Sequence, residues 1–132
     1  IVIGYVMVGT NDLTSAASFY EVLMPKIGMM AAEFTPDYVG FAPQVLPQKI
    51  SFYVTKPSNG EHASFGNGTM IALAVDSIEN VSECHKTAID LGGKNEGEPG
   101  FRPANGDVFY AYARDLDGNK LCFFHDSTKK LN

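Results

Sequence analysis

Apolar and polar residues alternate at the start of the chain, as they do in a β-strand with one buried face. Within residues 2–10, Val6 and Val8 fall on one face, and Tyr5 and Met7 fall on the other. The pattern therefore predicts a strand whose valines point into a core, and it leaves the tyrosine and the methionine on the opposite surface.

A helical pattern follows this strand. Asn11 and Asp12 are both favoured N-cap residues, and Gly28 is a typical residue for ending the element. The apolar stripe repeats every three or four residues and consists of Leu13, Ala16, Ala17, Tyr20, Leu23, Met24 and Ile27. Proline-bearing turns then separate three short predicted strands, around residues 29–34, 38–42 and 49–55.

The same order of elements begins again near residue 69. A strand over residues 69–75 leads into the N-cap pair Asp76-Ser77 and a helix whose stripe is Ile78, Val81, His85, Ala88 and Ile89. Later strands are predicted near residues 94–95, 108–114 and 119–125, and Asp117-Gly118 indicates a tight hairpin. The spacing is 65 residues from Tyr5 to Met70 and from Gly28 to Gly93. The closing strands align as residues 49–53 with 120–124.

A whole supersecondary unit is therefore duplicated. We predict an α+β fold of two tandem βαβββ units, residues 1–57 and 68–132, joined by a Gly- and Ser-containing linker over residues 58–67. Side by side, the units would form one curved eight-stranded mixed sheet with helices outside and a concave inner face, the cup. Extra residues in the second unit are expected within residues 97–107. A cup of this kind suits a small molecule.

Three segments also resemble a known family. Residues 5–13 with Phe19-Tyr20 are similar to the opening of vicinal oxygen chelate domains, and residues 114–121 resemble their closing hairpin, usually Asp-Pro-Asp-Gly-Asn. Here Leu116 replaces the proline. Gly66–Thr69 resembles a glyoxalase-like subgroup. The chain thus resembles the glyoxalase, bleomycin-resistance and dioxygenase superfamily. The resemblance implies the paired fold, a small-molecule ligand and a homodimer, since relatives are often homodimers.

Catalytic members of that family hold a divalent metal in the cup through His and Glu on the first and last strands of each unit. The resemblance places those positions on Tyr5, Ser51, Met70 and Cys122. A register slip of one or two residues would replace Ser51 by Phe52 or Tyr53. Hydroxyl, thioether and protonated thiol groups are weak ligands for the hard and borderline divalent ions. We therefore predict no metal and no cofactor in the cup.

Several other polar residues have both a chemical and a simpler interpretation. Glu33 is the carboxylate expected to face inward, and Arg102 is the best candidate for an anion contact, although both residue types usually lie on the surface. His62 is either a solvated loop residue or a lid over the cup, and His85 is expected to pack in its helix. His125 is a candidate general base next to Asp126.

Cys122 occupies a ligand position and is either a reactive thiol or a small apolar filler, and the second interpretation is favoured. The remaining lining is aromatic and thioether in character. The predicted ligand-binding residues are Tyr5, Met7, Ser51, Tyr53, Met70, Tyr110, Tyr112, Cys122 and Phe124. The alternative is that these side chains fill a collapsed core.

Two functions remain open. The favoured one is a metal-free protein that binds an aromatic or amphipathic compound. The alternative is a glyoxalase-like lyase or isomerase, or a dioxygenase-related enzyme, with a divalent metal on other ligands such as Glu33 or His125. Whether the two units pair within one chain or across a homodimer also stays open.

Composition narrows the possible partners. The 132-residue chain has the length of one domain and a net charge of −5, which argues against nucleic acid because phosphate binding needs a basic surface. Lys129-Lys130 is the only cluster of positive charge. No apolar run approaches the roughly 20 residues of a membrane span, and the start lacks signal-peptide features. The two cysteines have no disulfide-rich or CxxC spacing, so a reduced, cytoplasmic protein is expected.

Overall fold

The computed structural model describes residues 2–129 of the chain. Outside the described residues lie residue 1, at the start of the first predicted unit, and residues 130–132, at the end of the second. Lys130 of the Lys129-Lys130 pair is among them. The first unit consists of β1 (Val6–Gly9), α1 (Leu13–Leu23), a 3-10 helix (Met24–Ile27), β2 (Met29–Phe34), β3 (Tyr38–Pro43) and β4 (Phe52–Thr55). The second unit consists of β5 (Ile71–Ala74), α2 (Ile78–Asp90), β6 (Lys94–Phe101), β7 (Val108–Arg114) and β8 (Lys120–Asp126). The order βαβββ is present twice.

Both helices begin where the sequence places their N-caps. The Asp12 side chain accepts a hydrogen bond from the backbone N–H of Ser15, and the Ser77 hydroxyl accepts one from the backbone N–H of Asn80. The 3-10 helix after α1 ends at Gly28, whose φ of +80° is a conformation that glycine adopts without strain. Neither helix within residues 2–129 has the length and apolar character of a membrane span.

The strands form two four-stranded sheets, with the orders β1-β4-β3-β2 and β5-β8-β7-β6. The first strand pairs in parallel with the last strand of its unit, and the other pairs are antiparallel. The single eight-stranded sheet expected from the sequence is not seen, because β1 and β5 share no ladder. At this junction, Asn119 Nδ2 donates to the carbonyl oxygen of Gly9 at 3.0 Å, so a side chain links the units there.

The ladders also decide the register that the sequence left open. Met7 pairs with Tyr53, and Ala72 pairs with Cys122. Since Met7 and Ala72 are equivalent under the repeat, Tyr53 is the counterpart of Cys122, and the alignment of Ser51 with Cys122 was wrong by two residues. The second unit is longer between its middle strands: β6 has eight residues where β2 has six, and residues 102–107 replace the short turn at residues 35–37.

One hydrophobic core lies between the helices and the helix-facing surfaces of both sheets. Its largest members in the first unit are aromatic, with the Tyr20 ring 5.0 Å from Phe52 and 6.1 Å from Phe41, centroid to centroid. In the second unit, Leu121 and Phe123 alternate into the same core. Because side chains alternate along a strand, the residues between these point away from the helices, and they form the candidate site.

Candidate functional site

On the side away from the helices, the first unit carries three neighbouring tyrosines, here called the first face: Tyr5, Tyr38 and Tyr53. The Tyr53 ring meets Tyr5 edge-on at 5.1 Å and Tyr38 edge-on at 5.4 Å between centroids. It lies over Gly40, where a Cβ would come within 2.9 Å of the ring. The small residue in β3 therefore makes room for the tyrosine of β4.

Glu33 lies on the first face, as the sequence predicted for an inward carboxylate. It pairs with Gly40 across the β2–β3 ladder. The Glu33 carboxylate raises the pKa of Tyr38, first as a hydrogen-bond acceptor for the hydroxyl and second through its charge. The pKa of Tyr53 is also raised, by desolvation first and by the Glu33 charge second. Tyr38 and Tyr53 therefore present neutral hydroxyl groups.

A hollow of about 890 Å³ adjoins the first face at Tyr38. Met7, Tyr38 and Thr55 supply its sheet side, and the segment after β4 supplies the other side through residues 56–58 and 60–62, including His62 of the linker. The proposal of His62 as a lid residue is thus compatible with its position beside this hollow.

Asn11 holds the linker in place, a role the sequence analysis missed because Asn11 stood out only as an N-cap type. Its side chain donates to the carbonyl oxygen of Ala63 at 3.1 Å and accepts from the backbone N–H of the same residue. The Asn11 Nδ2 atom also lies 3.3 Å from His62 Nε2. The backbone N–H of Asn11 donates to the Asp117 carboxylate at 2.9 Å, which ties the site to the second unit.

The second unit carries the matching surface, here called the second face: Tyr110, Tyr112, Cys122 and Phe124. Tyr110 and Tyr112 stack with their rings 6.0 Å apart at an angle of 9°, and Tyr110 lies 6.4 Å from Phe124. Cys122 pairs with Tyr112 across the β7–β8 ladder. Two cations approach the Tyr112 ring, with Arg102 Cζ at 5.1 Å and Lys120 Nζ at 5.3 Å from its centroid.

Cys122 is 1% exposed, and burial raises the pKa of its thiol to about 11, although Arg102 and Lys120 both act to lower it. A thiol with this pKa is protonated at neutral pH and is a poor nucleophile and metal ligand. The position therefore favours the filler interpretation over the reactive one.

The four positions that the resemblance assigns to metal ligands do not share one hollow. Ser51 and Met70 line a hollow of about 360 Å³ at the junction of the units, and Tyr5 lines another of about 440 Å³. Tyr53, which takes the place of Ser51 in the observed register, meets Tyr5 on the first face and is separate from Met70 and Cys122. Cys122 lies in the second face. Within residues 2–129, no three His, Cys, Asp or Glu side chains come together as a metal site would require. The residues present do not fit the divalent metal of the family.

The two residues named as substitute ligands lie apart. Glu33 is on the first face. His125 follows the core residue Phe123 by two positions, on the helix side of β8, and its Nδ1 lies 2.9 Å from the carbonyl oxygen of Val75. His85 is buried in α2 with its Nε2 3.0 Å from Asn95 Oδ1, as expected for a packed helix histidine. Alternation thus places Glu33 and His125 on opposite sides of their sheets.

Fold and site together define a protein of the paired βαβββ class with an open aromatic surface. A family model described as the Glyoxalase/Bleomycin resistance protein/Dioxygenase superfamily matches residues 2–123. The chain belongs to this superfamily. A search of curated proteins finds no match.

Several solved structures, in contrast, are similar to this chain. A glyoxalase/bleomycin resistance protein from Albidiferax ferrireducens is 34% identical with a TM-score of 0.83, over 95% of this chain and 98% of that one. A glyoxalase-related enzyme from Fulvimarina pelagi is 17% identical with a TM-score of 0.73, over 93% and 86%. A glyoxalase/bleomycin resistance protein/dioxygenase family enzyme from Burkholderia phytofirmans is 17% identical with a TM-score of 0.70, over 94% and 98%. The last two support the fold alone.

Proposed function

We propose that this chain is a small-molecule-binding protein that takes up an aromatic or amphipathic compound on its two aromatic faces without a divalent metal. The observation that carries the proposal is the first face, where three tyrosines contact one another and one of them, Tyr38, lines a hollow of about 890 Å³. Aromatic side chains with one polar end bind planar compounds through their rings and orient them through their hydroxyls. The nine predicted ligand-binding residues remain the candidate contacts.

Exposure supports a binding surface over a filled core. Tyr5 is 58%, Met7 50% and Met70 42% exposed. Burying apolar surface of this kind is favourable by roughly 25 cal/mol per Å². A smaller hollow of about 150 Å³ is lined from both units, by Met7 and Gly9 on one side and Ile71 and Lys120 on the other. Met7 pairs with Tyr53 of the first face, and Lys120 lies two residues before Cys122 of the second face, so this hollow lies between the edges of the two faces.

The same exposed surface supports a homodimer as the second part of the proposal. Exposed apolar side chains on β1 and before β5, with the exposed alanines Ala72 and Ala74, form a surface that a second copy would cover. Size-exclusion chromatography with light scattering tests this part. A monomeric mass at all concentrations up to the millimolar range contradicts it, and leaves ligand binding by one chain to be tested separately.

Ligand binding is tested by titrating the protein with a panel of neutral and charged aromatic compounds while following tyrosine fluorescence, since the chain has six tyrosines and no tryptophan. We expect saturable binding that Tyr53→Ala weakens roughly two- to twelvefold, the size of an aromatic contact of about 0.5–1.5 kcal/mol. Val22→Ala, on the exposed side of α1, is the control and should bind as the unchanged protein does. Equal affinity in both variants contradicts the assignment of the first face.

The enzyme alternative has one structural observation in its favour, the position of Glu33 beside Tyr38 on the first face. Elemental analysis of the purified protein separates the two functions. Near-stoichiometric zinc, nickel, manganese or iron contradicts the metal-free proposal and makes Glu33→Gln the first variant to assay. We also propose a cytoplasmic location, which the two free buried thiols Cys84 and Cys122 support.

A further inference from the structure

We propose that the second face selects aromatic compounds that carry a carboxylate, with Arg102 and Lys120 binding the carboxylate and the Tyr110–Tyr112 stack receiving the ring. This inference rests on the proposed function and narrows it to one ligand class. It predicts a preference for anions in a protein whose net charge is −5, so a general attraction of the whole molecule for anions does not explain it.

Arg102 is fixed in place without being neutralised. Its Nη1 donates to the carbonyl oxygens of Tyr110 and Gly100, at 2.9 and 3.3 Å, and its Nη2 donates to that of Glu98 at 2.6 Å. These acceptors are uncharged, so they orient the guanidinium while its charge remains. Three of the five N–H donors are used in these bonds, which leaves donors for a carboxylate.

Lys120 adds a second positive charge beside the same ring. Each cation lies about 5 Å from the Tyr112 centroid, so the two charges are separated by about 10 Å at most. Within the described part of the chain, the ion pairs involve neither residue. Two positive charges beside one ring attract a nearby anion more strongly than either charge does alone.

The sheet leaves room for a ring beside these charges. Tyr112 pairs with Gly97 of β6, where a Cβ would come within 2.7 Å of the tyrosine ring, so glycine is needed for this packing. Tyr110 pairs with Gly100, where a Cβ would meet nothing within 4 Å. The surface next to Tyr110 is therefore open, and a planar group there would lie close to the Arg102 guanidinium.

The test is a pair of NMR titrations of the full chain at low ionic strength, with benzoate and with its neutral isostere benzamide. We expect benzoate to bind at least about fivefold more tightly and to shift the amide resonances of β6, β7 and β8. The preference should shrink as sodium chloride is raised, because salt screens exposed charges. Acetate, which has the charge and no ring, should bind more weakly than benzoate.

Two variants and a matched control locate the effect. Arg102→Gln and Lys120→Gln should each reduce the preference for benzoate, and Lys86→Gln, which removes the same charge on the exposed side of α2, should leave it unchanged. Arg102 also joins backbone segments, so Lys120→Gln, which removes no hydrogen bond of the described structure, keeps the test valid if Arg102→Gln does not fold.

The outcomes separate this inference from the proposed function. If benzamide binds as tightly as benzoate, or if Lys120→Gln keeps the full preference, carboxylate selection is wrong while aromatic binding stands. If acetate equals benzoate, the ring makes no contact and the inference is wrong. If no aromatic compound of either charge binds, the proposed function itself is contradicted, and the inference falls with it.

Discussion

Cys84 and Cys122 show how burial can outweigh nearby charges in setting the pKa of a side chain. Both thiols are buried and free, one on the core side of α2 and the other in the second face. Desolvation raises the pKa of Cys84 to about 12 and that of Cys122 to about 11, from an ordinary value of 9.0. The sequence could place Cys122 at a ligand position, but it could not show that burial keeps the thiol protonated.

These raised pKa values predict a loss of stability in alkali. In the unfolded chain the thiols ionise near pH 9, while the folded chain retains their protons, so their contribution is complete below pH 9 and is lost as the pH rises toward 12. We expect the free energy of unfolding in urea to fall from pH 9 to 11. Cys84→Ala should reduce that fall by up to about 1.4 kcal/mol per pH unit. Identical pH profiles for the two proteins would contradict the prediction.

At the scale of elements, the β7–β8 hairpin connects the two units. The Asp115 carboxylate accepts hydrogen bonds from the backbone N–H groups of Asp117 and Asn119 and from the Asn119 side chain. It also accepts one from the Tyr20 hydroxyl of α1 at 2.5 Å. The motif that resembles the family hairpin therefore does more than turn the chain, because its first aspartate anchors a helix of the other unit.

Tyr20→Phe tests this anchor. The substitution removes the hydroxyl from a fully buried pair and leaves Asp115 with one bond fewer, so we expect a loss of about 1–3 kcal/mol in the free energy of unfolding. Tyr110→Phe, which alters a half-buried hydroxyl of the second face, is the control and should change stability much less. Equal losses would mean that the buried Tyr20–Asp115 hydrogen bond contributes no more to the free energy of unfolding than a half-buried hydroxyl does.

Alternate residues of β8 face the hydrophobic core and the second face. Leu121→Ala should cost roughly 2–5 kcal/mol in unfolding free energy, since Leu121 is fully buried against the helices and a cavity would remain. Cys122→Ser, on the other side of the strand, conserves the volume more closely and should cost much less. Both values come from urea unfolding. An equally large loss for Cys122→Ser would indicate that the second face is solid core.

For the whole molecule, the repeat was the most informative part of the sequence. The 65-residue spacing, the N-caps and the closing glycines predicted two βαβββ units, and the structure has them. The division into two sheets could not be predicted, because alternation shows which face of a strand is buried and says nothing about its edges. Tyr38 and Asn11 were missed for a related reason, since their roles depend on contacts with Tyr53 and Ala63 that no local pattern contains.

Metal dependence is a property of the whole fold when a metal is present, because a bound ion stabilises the folded state by linkage. The residues at the family ligand positions offer no carboxylate and no imidazole, so we expect a chelator to leave the melting temperature unchanged. Differential scanning calorimetry with and without EDTA measures this directly. A drop of several degrees that one divalent ion restores would show that the ligands lie elsewhere, and Glu33 and His125 would be mutated first.

The hydrogen bonds of Asn11 bear on how copies of this chain can associate. Asn11 directly precedes the N-cap of α1, holds the linker at Ala63 and binds Asp117 of the second unit, so three separate segments meet at one residue. A linker fixed in this way keeps the second unit at a high effective concentration next to its own first unit. Exchange of units between two chains would have to break these bonds in both chains. Association of complete chains, without domain swapping, is therefore the expected route to any dimer.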